Sequence, residues 1–223
     1  MKKLLLGLLA TSGICVAAPA MAADYVPPEP VPTVYDWSGF YVGAHLGYGW
    51  GDSDNDASNG AQWSTDIDGI IGGLHLGYNF QIDSFVIGLE GDFDLTDIDG
   101  SDSCPNAAFT CSTDIDYVGT VRGRLGFAID QVLLYGTGGV AFTKAAFANN
   151  NGAGNRDTKK DTEIGFVAGG GIEFAAADNF TVRVEGLYYD FNGFNFAWSN
   201  DGGVSYDSDV NFVVVRAGFS YNF

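Results

Sequence analysis

From about residue 39 onward, apolar and polar positions alternate along the chain. A period of two describes an extended strand with one apolar and one polar face. In the last run, Val210 to Phe223, residues Val213, Val215, Ala217, Phe219, Tyr221 and Phe223 share one face. Arg216, Gly218, Ser220 and Asn222 share the other. The third run, Phe85 to Leu95, sets Phe85, Ile87, Leu89, Phe93 and Leu95 against Glu90, Asp92 and Asp94. Eight such strands are predicted, at about 39–50, 67–80, 85–95, 115–129, 132–143, 162–174, 180–191 and 210–223. Short turns follow the second, fourth and sixth. Four polar segments, about 51–66, 96–114, 144–161 and 192–209, read as long loops.

An even number of strands lets the first and last pair antiparallel and removes both sheet edges. Loops that alternate long and short fit a membrane barrel, with short turns on one side and long connections on the other. The expected fold is all-β, an eight-stranded antiparallel up-and-down transmembrane β-barrel over residues 37–223. A soluble barrel with its apolar face inward is the competing architecture. Aromatic residues near strand ends favour the apolar face outward: Trp37, Phe40, Tyr48, Trp50, Tyr78, Phe80, Phe85, Phe127, Phe174 and Phe180. So does a polar face that carries arginine but no lysine. The 32 glycines argue against long helices, since each costs a helix about 1 kcal/mol relative to Ala.

The first 22 residues read as a secretory signal. Lys2 and Lys3 precede the apolar run Leu4–Ala18, and Ala20-Met21-Ala22 places cleavage between Ala22 and Ala23. Residues 23–36 are a proline-rich extended segment, expected on the periplasmic side. Cleavage removes Cys15 and leaves Cys104 and Cys111, an even pair that reads as a disulfide in an exported chain.

The formal net charge is −18, which excludes nucleic acid as a partner because phosphate binding needs a basic patch. On the predicted inner face, Arg122, Arg124, Arg183 and Arg216 meet Glu90, Asp92, Asp94, Asp116, Glu163, Glu173 and Glu185. Arginine keeps its charge when buried and pairs bidentately with carboxylates. An eight-stranded lumen is only wide enough for side chains to fill it. The reading is a charge-paired polar core; a narrow ion path along the same charges is the alternative.

His45 and His75 face the lumen on adjacent strands and are weak candidates for a metal or haem site, with no strong third ligand nearby. No cofactor is expected. No serine motif accompanies either histidine, so no enzyme is expected. The acidic run Asp52–Asp56 lacks the glycine and glutamate of a calcium loop, because Ala57 and Trp63 stand in their places.

Several stretches together resemble a known family: WSGFYVGAHLGYGWG, IGLEGDF, YVGTVRGRLGF, LLYGTGGVAF and the terminal RAGFSYNF. The chain resembles the small porin-like, opacity-type outer-membrane β-barrels. It is most similar to the major surface-antigen group of rhizobial-type Gram-negative bacteria. The terminal Phe219, Tyr221 and Phe223 resemble the signal read by the barrel assembly machinery. The resemblance implies a bacterial outer-membrane location among lipid and lipopolysaccharide, and a role in envelope integrity and surface interaction. It implies for some members haemin binding, pore activity, or attachment to peptidoglycan through the N-terminal segment. The function expected is structural and surface-interacting, with a narrow porin or a surface ligand or host-contact receptor as alternatives.

Overall fold

A computed structural model describes residues 35–104, 110–150, 156–197 and 204–223. The signal segment, its cleavage site and the proline-rich segment up to residue 34 lie outside the described residues. Eight strands form one closed barrel: β1 Gly39–Ala57, β2 Gln62–Ile82, β3 Phe85–Ser103, β4 Thr110–Ile129, β5 Val132–Asn150, β6 Arg156–Ala177, β7 Phe180–Ala197 and β8 Ser205–Asn222. Each pairs antiparallel with its chain neighbours, and β1 closes on β8, with Gly47 opposite Arg216. The eight-stranded antiparallel barrel is the architecture that the alternation predicts.

The strands run well beyond their predicted ends. Most of 51–66, 96–114, 144–161 and 192–209 is strand rather than loop. The connection between β1 and β2, for example, is only residues 58–61. Alternation continues through these segments, but its sense inverts. Near the short-turn end, β8 points Val215, Phe219 and Tyr221 outward and Arg216 and Ser220 inward. Further up, the same strand points Asp207 and Asp209 outward and buries Tyr206, Val210 and Phe212. On β2, Leu74, Leu76 and Tyr78 are exposed below, whereas Ile67 and Ile71 are buried above.

The inversion has one physical cause. Around the lower part of the barrel, large apolar side chains cover the whole outer wall; Leu74 and Leu76 are each 66% exposed. Water does not tolerate an apolar surface of that extent, and lipid does. Above it, the outer wall is acidic and the interior takes over the apolar load. Strands of 18–22 residues, rising ~3.4 Å per residue and tilted about 40°, stand roughly 50 Å tall, about twice the apolar band of a membrane barrel. The upper half is therefore a conventional apolar-cored barrel standing in solvent. Its core stacks Tyr189 on Phe212 with ring centroids 4.8 Å apart, and Phe147 on Phe196 at 4.6 Å.

Two bulges separate the halves on one side, between Leu95 and Ile98 and between Ile115 and Tyr117. On β4 the alternation slips by one residue at Asp116, whereas on β3 it runs on unbroken, with Asp94 and Ile98 both buried. The lower rim is tight, with Asp83 and Asp130 in left-handed conformation at two-residue turns. Trp37 departs from the expected aromatic girdle. It is 2% exposed and packs inside the lower mouth with Tyr35, Val86, Ala128, Leu133, Tyr135 and Ala175. Its backbone N–H donates to Gln81 Oε1 at 2.8 Å, which turns the chain inward before β1 begins.

The inverted pattern predicts opposite sensitivities two or three residues apart. Phe212→Ala should cost roughly 3–5 kcal/mol in urea unfolding from micelles, and Asp209→Ala less than about 0.5 kcal/mol. Equal effects would contradict an apolar core in the upper half.

Candidate functional site

The membrane-embedded half encloses a layer of charge. β3 supplies a rail of carboxylates at every second residue, Glu90, Asp92 and Asp94, all on the inner face because strand side chains alternate. β4 supplies Arg122 and Arg124, β6 Glu173, β7 Arg183 and Glu185, and β8 Arg216. Register places these groups beside one another: Glu90 is opposite Arg122, Glu173 opposite Arg183, and Glu185 opposite Arg216.

Arg122 is the hub. Its Nη2 donates to Glu90 at 2.6 Å and to Asp92 at 2.7 Å, its Nη1 to Glu185 at 3.1 Å, and its Nε to Thr120 at 3.0 Å. Arg216 spans the other side, donating to Glu185 at 2.7 Å, Asp92 at 3.1 Å and Asp94 at 3.2 Å. Arg183 grips Glu90 at 2.5 Å, and Arg124 holds Glu173 at 2.6 Å. Arg124 also lies over the Tyr135 ring, 4.0 Å from its centroid. All nine groups are at least 93% buried. Charges removed from water survive only with such partners, because an isolated buried ion costs several kcal/mol.

Two of the expected network residues lie elsewhere. Asp116 is exposed and accepts a hydrogen bond from Lys160 Nζ at 2.9 Å on the outer face. The bulge at that residue turns it outward, and uninterrupted alternation could not anticipate the slip. Glu163 is half-buried, opposite Thr143 well above the charged layer, and forms no ion pair among the described residues. Conversely, Tyr41, Thr120, Tyr135 and Thr181 join the network; Tyr41 donates to Glu90 at 2.8 Å and Thr181 to Glu173 at 2.6 Å. Their inward parity was readable from the sequence, but nothing there said that hydroxyls would take up the spare lone pairs.

His45 and His75 stack in the lumen with ring centroids 5.4 Å apart and Nδ1 atoms 3.1 Å apart. His45 Nε2 meets Asp94, and His75 Nε2 lies 2.9 Å from Ser220 Oγ. All four ring nitrogens are thus engaged by hydrogen bonds. No group of three metal-binding side chains occurs among the described residues. A serine stands beside a histidine through the fold rather than through a motif, because β8 brings Ser220 level with His75 across β1. Ser220 is fully buried and has no access for a substrate. Cys104 and Cys111 form a disulfide that ties β3 to β4 at the top, over the upper core. Phe219, Tyr221 and Phe223 face outward at the lower rim.

A family model described as an outer membrane protein beta-barrel domain matches residues 6–223. The 31 kDa outer-membrane immunogenic protein of Brucella melitensis is 35% identical, over 97% of this chain and 98% of that protein. The 22 kDa outer membrane protein of Rhizobium leguminosarum is 29% identical, over 86% of this chain and 82% of its own. Among solved structures, the outer membrane protease OmpT of Escherichia coli superposes with a TM-score of 0.54 at 10% identity, covering 83% of this chain and 97% of that one. That likeness is one of fold alone.

The geometry separates inner from outer charge. Arg122→Ala would strand Glu90, Asp92 and Glu185 and should cost about 3–5 kcal/mol, whereas Asp116→Asn, at an exposed pair, should cost about 0–1 kcal/mol. Urea midpoints of the folded barrel in detergent check both; similar values would refute the assignment of Arg122 to the hub.

Proposed function

Because the chain belongs to the outer-membrane protein β-barrel family, we propose that it is a structural and surface-presenting element of the envelope, with a sealed lumen. The single observation that carries this reading is the filling of the barrel in three successive layers. Trp37 and Tyr35 occupy the periplasmic mouth. The arginine–carboxylate layer occupies the membrane-embedded half. Aromatic side chains from β5, β7 and β8 occupy the upper half. An ion following the charged layer outward would next meet Phe191, Phe194 and Phe212, each at most 1% exposed, and would lose its hydration without compensation.

The surface role rests on the rigid upper half. A barrel that rises beyond the bilayer carries its strand connections away from the lipid surface, where binding segments of a scaffold reside. The Brucella relatives are named immunogenic proteins, which suits a chain displayed outward.

The test is electrical. The refolded chain in a planar bilayer should give no single-channel steps. Arg122→Ala with Arg183→Ala should also remain silent, since the apolar layer above is untouched. Steady steps in the native chain, altered by the arginine changes, would make this a narrow charge-lined porin.

A further inference from the structure

The outer wall just above the apolar band is acidic on six of the eight strands. Asp52 on β1, Asp66 on β2, Asp97 on β3, Asp116 on β4, Asp190 on β7 and Asp209 on β8 all stand there. β5 and β6 break the ring with Lys144 and Lys160. Apart from the four arginines of the charged layer, the basic residues from 35 onward are Lys144, Arg156, Lys159 and Lys160, all in the sequence of these two strands, and of them Lys144 and Lys160 share the outward parity of Phe142 and Ile164.

This collar lies at the depth of lipid headgroups, because it begins where the exposed apolar band ends. The outer leaflet carries phosphorylated lipid, and six strands would repel a phosphate there unless a divalent cation intervened. Only β5 and β6 attract it directly. Register sets Lys144 opposite Thr162 and Ala146 opposite Lys160. The two lysines are therefore diagonal neighbours, with Cα atoms roughly 7–8 Å apart. Among the described residues Lys144 forms no ion pair, and Lys160 pairs with the exposed Asp116. Beneath them the wall is apolar, with Val140, Phe142, Ile164 and Phe166 all exposed.

We propose that this face of β5 and β6 binds a phosphorylated glycolipid of the outer leaflet, its phosphate between Lys144 and Lys160 and its acyl chains on the wall below. Lysine is a point-charge donor that suits phosphate without demanding fixed geometry. A phosphate arriving there competes with Asp116 for Lys160, so Lys144 is the stronger anchor.

The test is native mass spectrometry of the refolded chain in mild detergent with a chelator present, titrated with bisphosphorylated lipid A, dephosphorylated lipid A and inorganic phosphate. The native chain should retain bisphosphorylated lipid A at least tenfold more tightly than the dephosphorylated form. K144E/K160E should lose that preference, while D66N/D209N keeps it. Unboiled gel mobility reports folding, and K144Q alone should lose about threefold if the double variant does not refold. Equal retention of the two lipids, retention unchanged in the lysine variants, or loss of all binding in chelator would each overturn the proposal. So would displacement by inorganic phosphate at equal concentration, or a doubled protein mass that the lysine changes abolish.

Discussion

Four guanidinium groups lie inside a barrel whose outer wall faces lipid, and the membrane half of the structure is arranged around keeping them paired. Glu90 is held by Arg122 and Arg183, Glu185 by Arg122 and Arg216, and Asp92 again by Arg122 and Arg216. No pair stands alone, and Arg122 and Arg216 each hold three carboxylates. Such a network cannot be built within one strand. It needs β3, β4, β7 and β8 in one register, so the closed barrel and the charged layer depend on each other. The neighbouring walls give way to make room. Gly43 and Gly77 lie against the His75 and Tyr41 side chains so closely that a Cβ at either position would collide with a ring.

The bilayer imposes the second constraint. Where lipid lies outside, polarity is packed inside; where water lies outside, the packing reverses. The crossover runs round the barrel from Trp50 and Ile70 to Phe142 and Val213, each followed two positions further up by a polar or charged residue. The same eight strands thus serve as a membrane anchor below and a soluble barrel above.

Much of this was legible in the alternation. In the lower half, the inward set Glu90, Asp92, Asp94, Arg122, Arg124, Glu173, Arg183, Glu185 and Arg216 follows from parity alone, since the one irregularity there, between Ala175 and Ala177, lies below the charged layer. The upper half was misread because acidic alternation resembles a solvated loop. Asp52, Asp54 and Asp56 give no apolar signal, and the period survives only in Ser53, Asn55 and Ala57 between them. A bulge was equally invisible, which is why Asp116 fell on the wrong face. Trp37 has the sequence of an interfacial aromatic, and its burial and the hydrogen bond to Gln81 show the chain folding inward.

A sealed lumen, as proposed, is packed and dry from end to end. Single-cysteine accessibility along β8 tests it most directly. Asp209→Cys should react promptly with a small water-soluble maleimide, while Ser208→Cys, Val210→Cys and Ser220→Cys stay unreactive until the barrel is unfolded. Rapid labelling of all three interior positions in the folded barrel would show a water-filled lumen and contradict a sealed one.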